Sequence, residues 1–103
     1  MTSRPSPRDC DDMASLRRLI DAVDDELFDL FAERMACIHR AAEIKARDGI
    51  PANVPSRVTE VVNNARNRAE ARGLDPDLYG RIWQSIVDAS IAAEEGRLGG
   101  GGY

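Results

Sequence analysis

Apolar side chains recur at helical spacing through residues 16–47, a stretch that contains neither glycine nor proline. They fall on two adjacent heptad lines, an arrangement that gives a helix a continuous apolar seam. The two lines are Leu16, Val23, Leu30, Cys37, Ile44 and Met13, Ile20, Leu27, Arg34, Ala41. The pattern predicts one long helix, and Arg34 places a charge within its seam.

The predicted helix is longer than one small domain can cover. At about 1.5 Å per residue, the segment from Asp12 to Lys45 spans roughly 50 Å, whereas a compact domain of about 100 residues is ~30 Å across. The rest of the chain can bury only part of the seam, and two-fold pairing is the commonest way to bury the remainder. We therefore expect an intertwined homodimer.

A loop and a second helix follow the long helix. Gly49 and two prolines lie within residues 48–55, and the second of these, Pro55, suits the first turn of a new helix. Apolar residues keep helical spacing from Ser56 to Arg72, where Gly73 ends the pattern. The sequence thus predicts a second helix over this range.

The third helix has explicit start signals. Asp75 is suited to the N-cap and Pro76 to the first helical position, and helical spacing then continues to about Glu95. The chain contains no strand-like alternation of apolar and polar residues. The predicted fold class is all-α, a three-helix protomer with one very long N-terminal helix.

Composition sets the domain organisation. Residues 1–10 hold two prolines and nothing periodic, so we expect a flexible N-terminal arm, followed by a helical domain over residues 11–96 and a flexible glycine-rich tail over residues 97–103. The N-terminus lacks an apolar signal region, and no run approaches the roughly 20 apolar residues of a membrane span. We expect a cytoplasmic protein.

Charge and cysteine content exclude several classes. A net charge of -4 and a pI near 4.9 argue against a nucleic-acid or anionic-membrane surface as partner. The two cysteines are too few for a disulfide framework, and Cys37 is interpreted as a small buried thiol of the seam. His39 has no partner at metal-ligand spacing, so we expect it to be exposed and expect no metal site. No serine or cysteine nucleophile motif and no glycine-rich phosphate loop occur.

Four cations are the first candidates for binding: Arg17, Arg34, Lys45 and Arg57. Lys45 lies eleven residues after Arg34, three turns later on nearly the same face of the predicted helix. Such inward cations form buried ion pairs or hold an anionic ligand. Arg17 is about 25 Å along the axis from Arg34, so only the Arg17 of a partner subunit can meet the same small ligand.

The predicted third helix contributes polar candidates. Tyr79, Trp83, Val87, Ser90 and Glu94 share one face, which places a hydroxyl and a carboxyl one turn apart beside an apolar wall. The alternative is that this face packs in the core, with its polar groups at exposed ends. Together with the cations, the face suits a small polyanion.

The ordered set of these residues resembles the all-helical (type II) chorismate mutases and the related isochorismate-pyruvate lyases. The resemblance covers about Cys10 to Glu95. The motifs that carry it are Leu16-Arg17 with Ile20-Asp21-Ala22-Val23-Asp24, Ala32-Glu33-Arg34, Ile44-Lys45, Arg57, Ile86, Ser90 and Glu94. It implies an intertwined dimer of three-helix protomers, in agreement with the length argument.

The resemblance also implies the site and its chemistry. Each active site would hold chorismate, a dianion, and convert it to prephenate by a concerted rearrangement without a cofactor. Binding residues would be Arg34, Lys45, Arg57, Val58, Ile86 and Ser90 of one subunit and Arg17 of the other, with Arg34, Lys45 and Glu94 catalytic. The cations would fold the substrate into its reactive conformation and stabilise charge on the breaking ether oxygen.

Two departures from the family pattern affect the interpretation. Many mutases carry glutamine where this chain has Glu94, which must be protonated to donate to the ether oxygen, so we expect activity to improve toward acid pH. Val58 and Val54 replace acidic residues, and with Ile50-Pro51-Ala52 they look like the lyase branch, which forms salicylate and pyruvate from isochorismate. A lyase, or a non-catalytic helical dimerisation module, is therefore the alternative to a mutase in aromatic amino-acid biosynthesis.

Overall fold

Three α-helices make up most of the protein in the computed structural model, which describes residues 4–97. A short 3₁₀ helix, Pro7–Asp9, precedes α1 (Met13–Asp48), α2 (Pro55–Ala71) and α3 (Pro76–Arg97). No strand occurs within residues 4–97. The predicted all-α class and the three helices are confirmed. None of the described helices is long and apolar enough to cross a membrane.

The helix ends follow the local signals in the sequence. Asp12 caps α1 by accepting the Ser15 backbone N–H at 2.8 Å, while the Ser15 hydroxyl donates to the Asp12 carbonyl. The Ser15 N–H first, and its hydroxyl second, lower the pKa of the Asp12 carboxyl. Asp75 caps α3 in the same way by accepting the Asp77 N–H at 3.0 Å.

Glycine ends both α1 and α2 with the same geometry. Gly49 and Gly73 each have a φ of 71°, in the left-handed region that favours glycine. In each turn the residue after the glycine donates its N–H back into the helix, from Ile50 to the Lys45 carbonyl and from Leu74 to the Ala69 carbonyl, both at 2.9 Å. This bond satisfies a carbonyl that the helix end would otherwise leave unpaired.

The chain divides into two compact units, one up to Met35 and one from Ala36 onward. The first unit contains most of α1, which is about 54 Å long over its 36 residues. Its apolar residues are largely exposed in the protomer, with Leu30 at 60%, Ile20 at 49% and Leu27 at 44% of their accessible areas. The seam is thus exposed at these residues, whereas Leu16 and Val23 are half-buried.

The residues before α1 carry local structure. Ser6 caps the 3₁₀ helix through the Arg8 and Asp9 backbone, and Arg4 forms an ion pair with Glu26 of α1. Flexibility of residues 1–10 stays a prediction, as do the domain limits at 11–96. The tail from Leu98 onward lies outside the described residues.

The second unit has a core of small side chains. Ala65 and Ala69 of α2, Val87 of α3 and Ala42 of α1 are buried. Gly80 is buried beneath Arg66, whose guanidinium reaches Asp77 with an Nη2–Oδ1 distance of 2.7 Å. Small residues allow α2 and α3 to approach closely. These two helices form the main helix pair of this unit.

Candidate active site

An ion pair between α1 and α3 is the centre of the candidate site. Lys45 Nζ lies 2.9 Å from Glu94 Oε2, and the two side chains are 20% and 5% exposed. Lys45 Nζ also donates to the Ala52 carbonyl at 2.9 Å, in the loop between α1 and α2. An ammonium carries three N–H donors, so these two bonds leave one donor for a ligand.

Glu94 is one of two polar residues buried on α3. The alternative that polar groups of this face sit at exposed ends is wrong, because Ser90 and Glu94 are only 5% and 4% exposed. Ser90 Oγ donates to the Ile86 carbonyl at 2.9 Å within the same helix. The hydroxyl and the carboxyl are therefore inside the second unit, where water screens their interactions least.

Arg57 lies at the first turn of α2 and is exposed. Its Nη1 pairs with the carboxylate of Glu60, one turn further along α2. Exposed pairs of this kind contribute about 0–1 kcal/mol, so an anionic ligand can take the guanidinium from Glu60 at small cost. Val58 and Ile86, which the resemblance also assigns to the site, are half-buried.

Arg17 and Arg34 belong to the first unit and are described there. Arg17 is exposed in the second turn of α1, and Arg34 is half-buried. Arg34 takes part in a polar or electrostatic interaction within the protein. Their participation in a site with Lys45 stays a prediction.

Two other residues differ from expectation. Cys37 is exposed in the protomer, although its seam position predicted burial. His39 is half-buried rather than exposed. Among residues 4–97, no group of three or more metal-ligating side chains has the geometry of a metal site.

The Ala52 carbonyl is a site component that sequence reasoning missed. The signal for it was Gly49, four residues after Lys45, because a glycine turn at a helix end directs the chain back along the helix. A backbone acceptor leaves no trace in side-chain patterns, so only the turn could have indicated it.

Comparison with known proteins identifies the family of this chain. A family model described as "Chorismate mutase type II" matches residues 16–95. A chorismate mutase of Methanocaldococcus jannaschii is 29% identical over 83 residues, which cover 81% of this chain and 84% of that protein. An isochorismate pyruvate lyase of Pseudomonas aeruginosa is 30% identical over 90 residues, or 86% of this chain and 87% of that protein.

A longer relative also matches. The T-protein of Enterobacter agglomerans is 35% identical over 83 residues, which cover 81% of this chain but 22% of the T-protein, so the chain spans about a fifth of that relative's length. No solved structure gives a significant match. These findings support the predicted isomerase activity on chorismate. They favour neither the lyase nor the dimerisation module over the mutase. The chain belongs to the type II chorismate mutase family, as its resemblance predicted.

Proposed function

We propose that the protein is a chorismate mutase, which converts chorismate to prephenate in the biosynthesis of phenylalanine and tyrosine. The observation that carries the proposal is the Lys45–Glu94 pair, with Nζ and Oε2 2.9 Å apart, in which Lys45 is half-buried and Glu94 is buried. A half-buried ammonium with one further N–H donor is suited to an ether oxygen on which negative charge develops. The family match and the Methanocaldococcus jannaschii enzyme support the assignment.

The rearrangement requires positioning more than chemical participation by the protein. Chorismate carries two carboxylates, and arginines bind carboxylates through paired N–H donors. In the proposed site Arg34 and Arg57 hold the substrate, and Arg17 of a second protomer completes the cage. Holding both carboxylates folds the flexible enol-pyruvyl arm over the ring. The substrate is then already in its reactive orientation, which lowers the entropic part of the activation barrier.

The proposed active form is a homodimer. Its support is the row of large exposed apolar residues along the first unit, where Leu30, Met13 and Ile20 are 60%, 55% and 49% exposed. A contiguous exposed row of large apolar side chains marks a surface that contacts another molecule. A two-fold axis would bring the Arg17 of one protomer to the site of the other.

The direct test is an activity assay with two substrates. The purified chain should remove the ultraviolet absorbance of chorismate and form prephenate, while Lys45→Ala, purified identically, should not. The variant is needed because a contaminating host mutase would act equally in both preparations. A wild-type chain no more active than Lys45→Ala would contradict the proposal.

Isochorismate separates the second candidate function. The aliphatic Val54 and Val58, both half-buried, and the Pseudomonas aeruginosa relative favour a lyase. That activity would release fluorescent salicylate from isochorismate, and its presence without prephenate formation would replace the proposed function. Inertness toward both substrates would indicate a helical dimerisation module.

The role of Glu94 predicts a pH dependence. An ionised carboxylate only accepts hydrogen bonds, so Glu94 donates to the ether oxygen only when protonated. We expect kcat to rise toward acid pH in the wild type and to become nearly independent of pH in Glu94→Gln, whose amide donates at any pH. Glu95→Gln, the same change at the exposed neighbouring residue, is the control and should keep the wild-type profile. A pH profile unaltered by Glu94→Gln would show that Glu94 is not the donor.

A further inference from the structure

Lys45 is held at both of its ends by the turn that follows α1. Its backbone carbonyl accepts the Ile50 N–H at 2.9 Å, and its Nζ donates to the Ala52 carbonyl at 2.9 Å. Glu94 of α3 accepts a second Nζ donor. The three residues after Gly49 thus run from the backbone carbonyl of Lys45 to its ammonium.

Gly49 is the residue on which this turn depends. Its φ of 71° is unfavourable for residues with a Cβ, although a Cβ there would meet no atom within 4 Å. The requirement for glycine therefore comes from its own backbone conformation and not from a clash with another part of the protein. Pro51 restricts the loop further, because its ring fixes its own φ and keeps Ile50 out of the helical region.

Holding the ammonium matters because a lysine side chain is flexible. Its four-carbon stem has many rotamers, and an unanchored ammonium would spread over them. With two acceptors fixed, the third donor has a defined direction in which to meet a substrate atom. Small displacements of a catalytic group are costly when the reaction depends on orientation.

We propose that the α1–α2 turn is a positioning element for catalysis, in which Gly49 sets the turn and the Ala52 carbonyl orients the Lys45 ammonium. The inference rests on the proposed function for its kinetic consequence. Its structural consequence, the immobilisation of one amine, is independent of any activity.

The protein contains a matched control for this turn. Gly73 ends α2 with the same φ of 71°, and no atom lies within 4 Å of its Cβ position. The Leu74 N–H donates to the Ala69 carbonyl at 2.9 Å, as the Ile50 N–H does to Lys45. Ala69 has no side chain that the turn could orient. Alanine at either glycine therefore imposes the same backbone strain, with a lysine affected in only one case.

The kinetic test compares Gly49→Ala with Gly73→Ala. Both should lower Tm by a similar amount, but only Gly49→Ala should lower kcat, by roughly tenfold to a hundredfold beyond the control. KM should change much less, since the arginines bind the carboxylates. Gly49→Asn should recover part of kcat, because asparagine adopts the left-handed conformation more readily than alanine.

A second measurement reads the amine directly. Lys45 is the only lysine in the chain, so lysine acylation measured by peptide mass spectrometry reports on this one side chain. The acylation rate should rise severalfold in Gly49→Ala and stay at the wild-type value in Gly73→Ala. Each protein is assayed at a temperature well below its Tm.

The outcomes separate this inference from the proposed function. Equal effects of the two glycine variants on kcat and on acylation, or no effect of Gly49→Ala on either, would overturn the positioning role. A wild type without mutase activity but with Lys45 protected only when Gly49 is intact would contradict the proposed function and keep the turn as the element that immobilises Lys45.

Discussion

The N-terminal part of α1 and the α2–α3 pair differ in the size and the exposure of their apolar residues. Large side chains such as Leu27 and Leu30 are 44% and 60% exposed on the first, whereas the second buries small ones such as Ala65 and Ala69 at 6% and 4%. Large exposed residues offer area to another surface, and small buried ones allow close approach within a protomer. One region therefore leaves large apolar side chains exposed, and the other packs on itself.

The largest expected effect comes from placing charge on the open seam. Leu27→Lys combined with Leu30→Lys should convert the proposed dimer to a monomer and abolish activity, because each site would lose the Arg17 of the other subunit. Sedimentation or light scattering gives the mass, and the chorismate assay gives the rate. Asp25→Lys, on the opposite side of α1, should change neither. A folded, active monomer would contradict the proposed dimer and the role of the exposed seam as its interface.

Arg34 is the charged residue within the apolar seam of α1, and its substitution tests whether it binds the substrate. Arg34→Ala should lower kcat/KM by about 10²–10³-fold, the typical loss when one electrostatic donor is removed, and should leave a folded dimer. Arg40→Ala, which removes an exposed arginine paired with Glu43, is the control and should be nearly neutral. If Arg34→Ala unfolds but its residual folded fraction stays fully active, Arg34 is structural.

The self-packed region is tested at Gly80. A Cβ there would lie 3.0 Å from Arg66 Cγ, so the Arg66 side chain must move by a few tenths of an ångström. The overpacking cost of about 1–3 kcal/mol should exceed the gain of up to ~1 kcal/mol from replacing a helical glycine, for a net loss of about 1 kcal/mol in urea unfolding. Mutase activity should not change.

The same substitution in an Arg66→Ala background gives the opposite sign. Without the arginine above it, Gly80→Ala should stabilise the protein by up to ~1 kcal/mol through helix propensity. This double-mutant cycle attributes the effect to the Gly80–Arg66 contact. Destabilisation of equal size in both backgrounds would place its cause elsewhere in the α2–α3 packing.

The smallest effect is at the start of α1. Because the Ser15 N–H and hydroxyl lower the Asp12 pKa, the folded state binds this proton less tightly than the unfolded state. The cap therefore stabilises the protein above the unfolded pKa of Asp12, and this contribution is lost as pH falls through the folded pKa. Asp12→Asn should narrow the stability difference between neutral and strongly acid pH in urea unfolding. An unchanged difference would mean that the cap does not couple to folding.

Local signals in the sequence were sufficient for the helices. Gly49, Gly73 and Pro76 each act through their own backbone, so their positions predicted the helix limits closely. The family could also be predicted from the sequence, because its charged residues keep fixed separations along the helices.

The parts of the site that sequence could not provide are long-range or involve the backbone. Periodicity placed Glu94 on a face shared with Ser90, but its partner Lys45 is 49 residues away in sequence. Only the family resemblance assigned the two to one site, and the ion pair between them was not predicted. The Ala52 carbonyl belongs to the backbone and has no residue-type signature. Burial of Cys37 was predicted for a covered seam, and the protomer alone leaves it exposed.

The short turn from Arg72 to Asp75 has a consequence for how the protein folds. It joins α2 and α3 with few residues between them, so their contacts close small loops and should form within microseconds to milliseconds. In the proposed dimer the open part of α1 is buried only when two chains meet, and that step slows in proportion to dilution. Refolding should therefore show a fast phase independent of protein concentration and a second-order phase in which mutase activity returns.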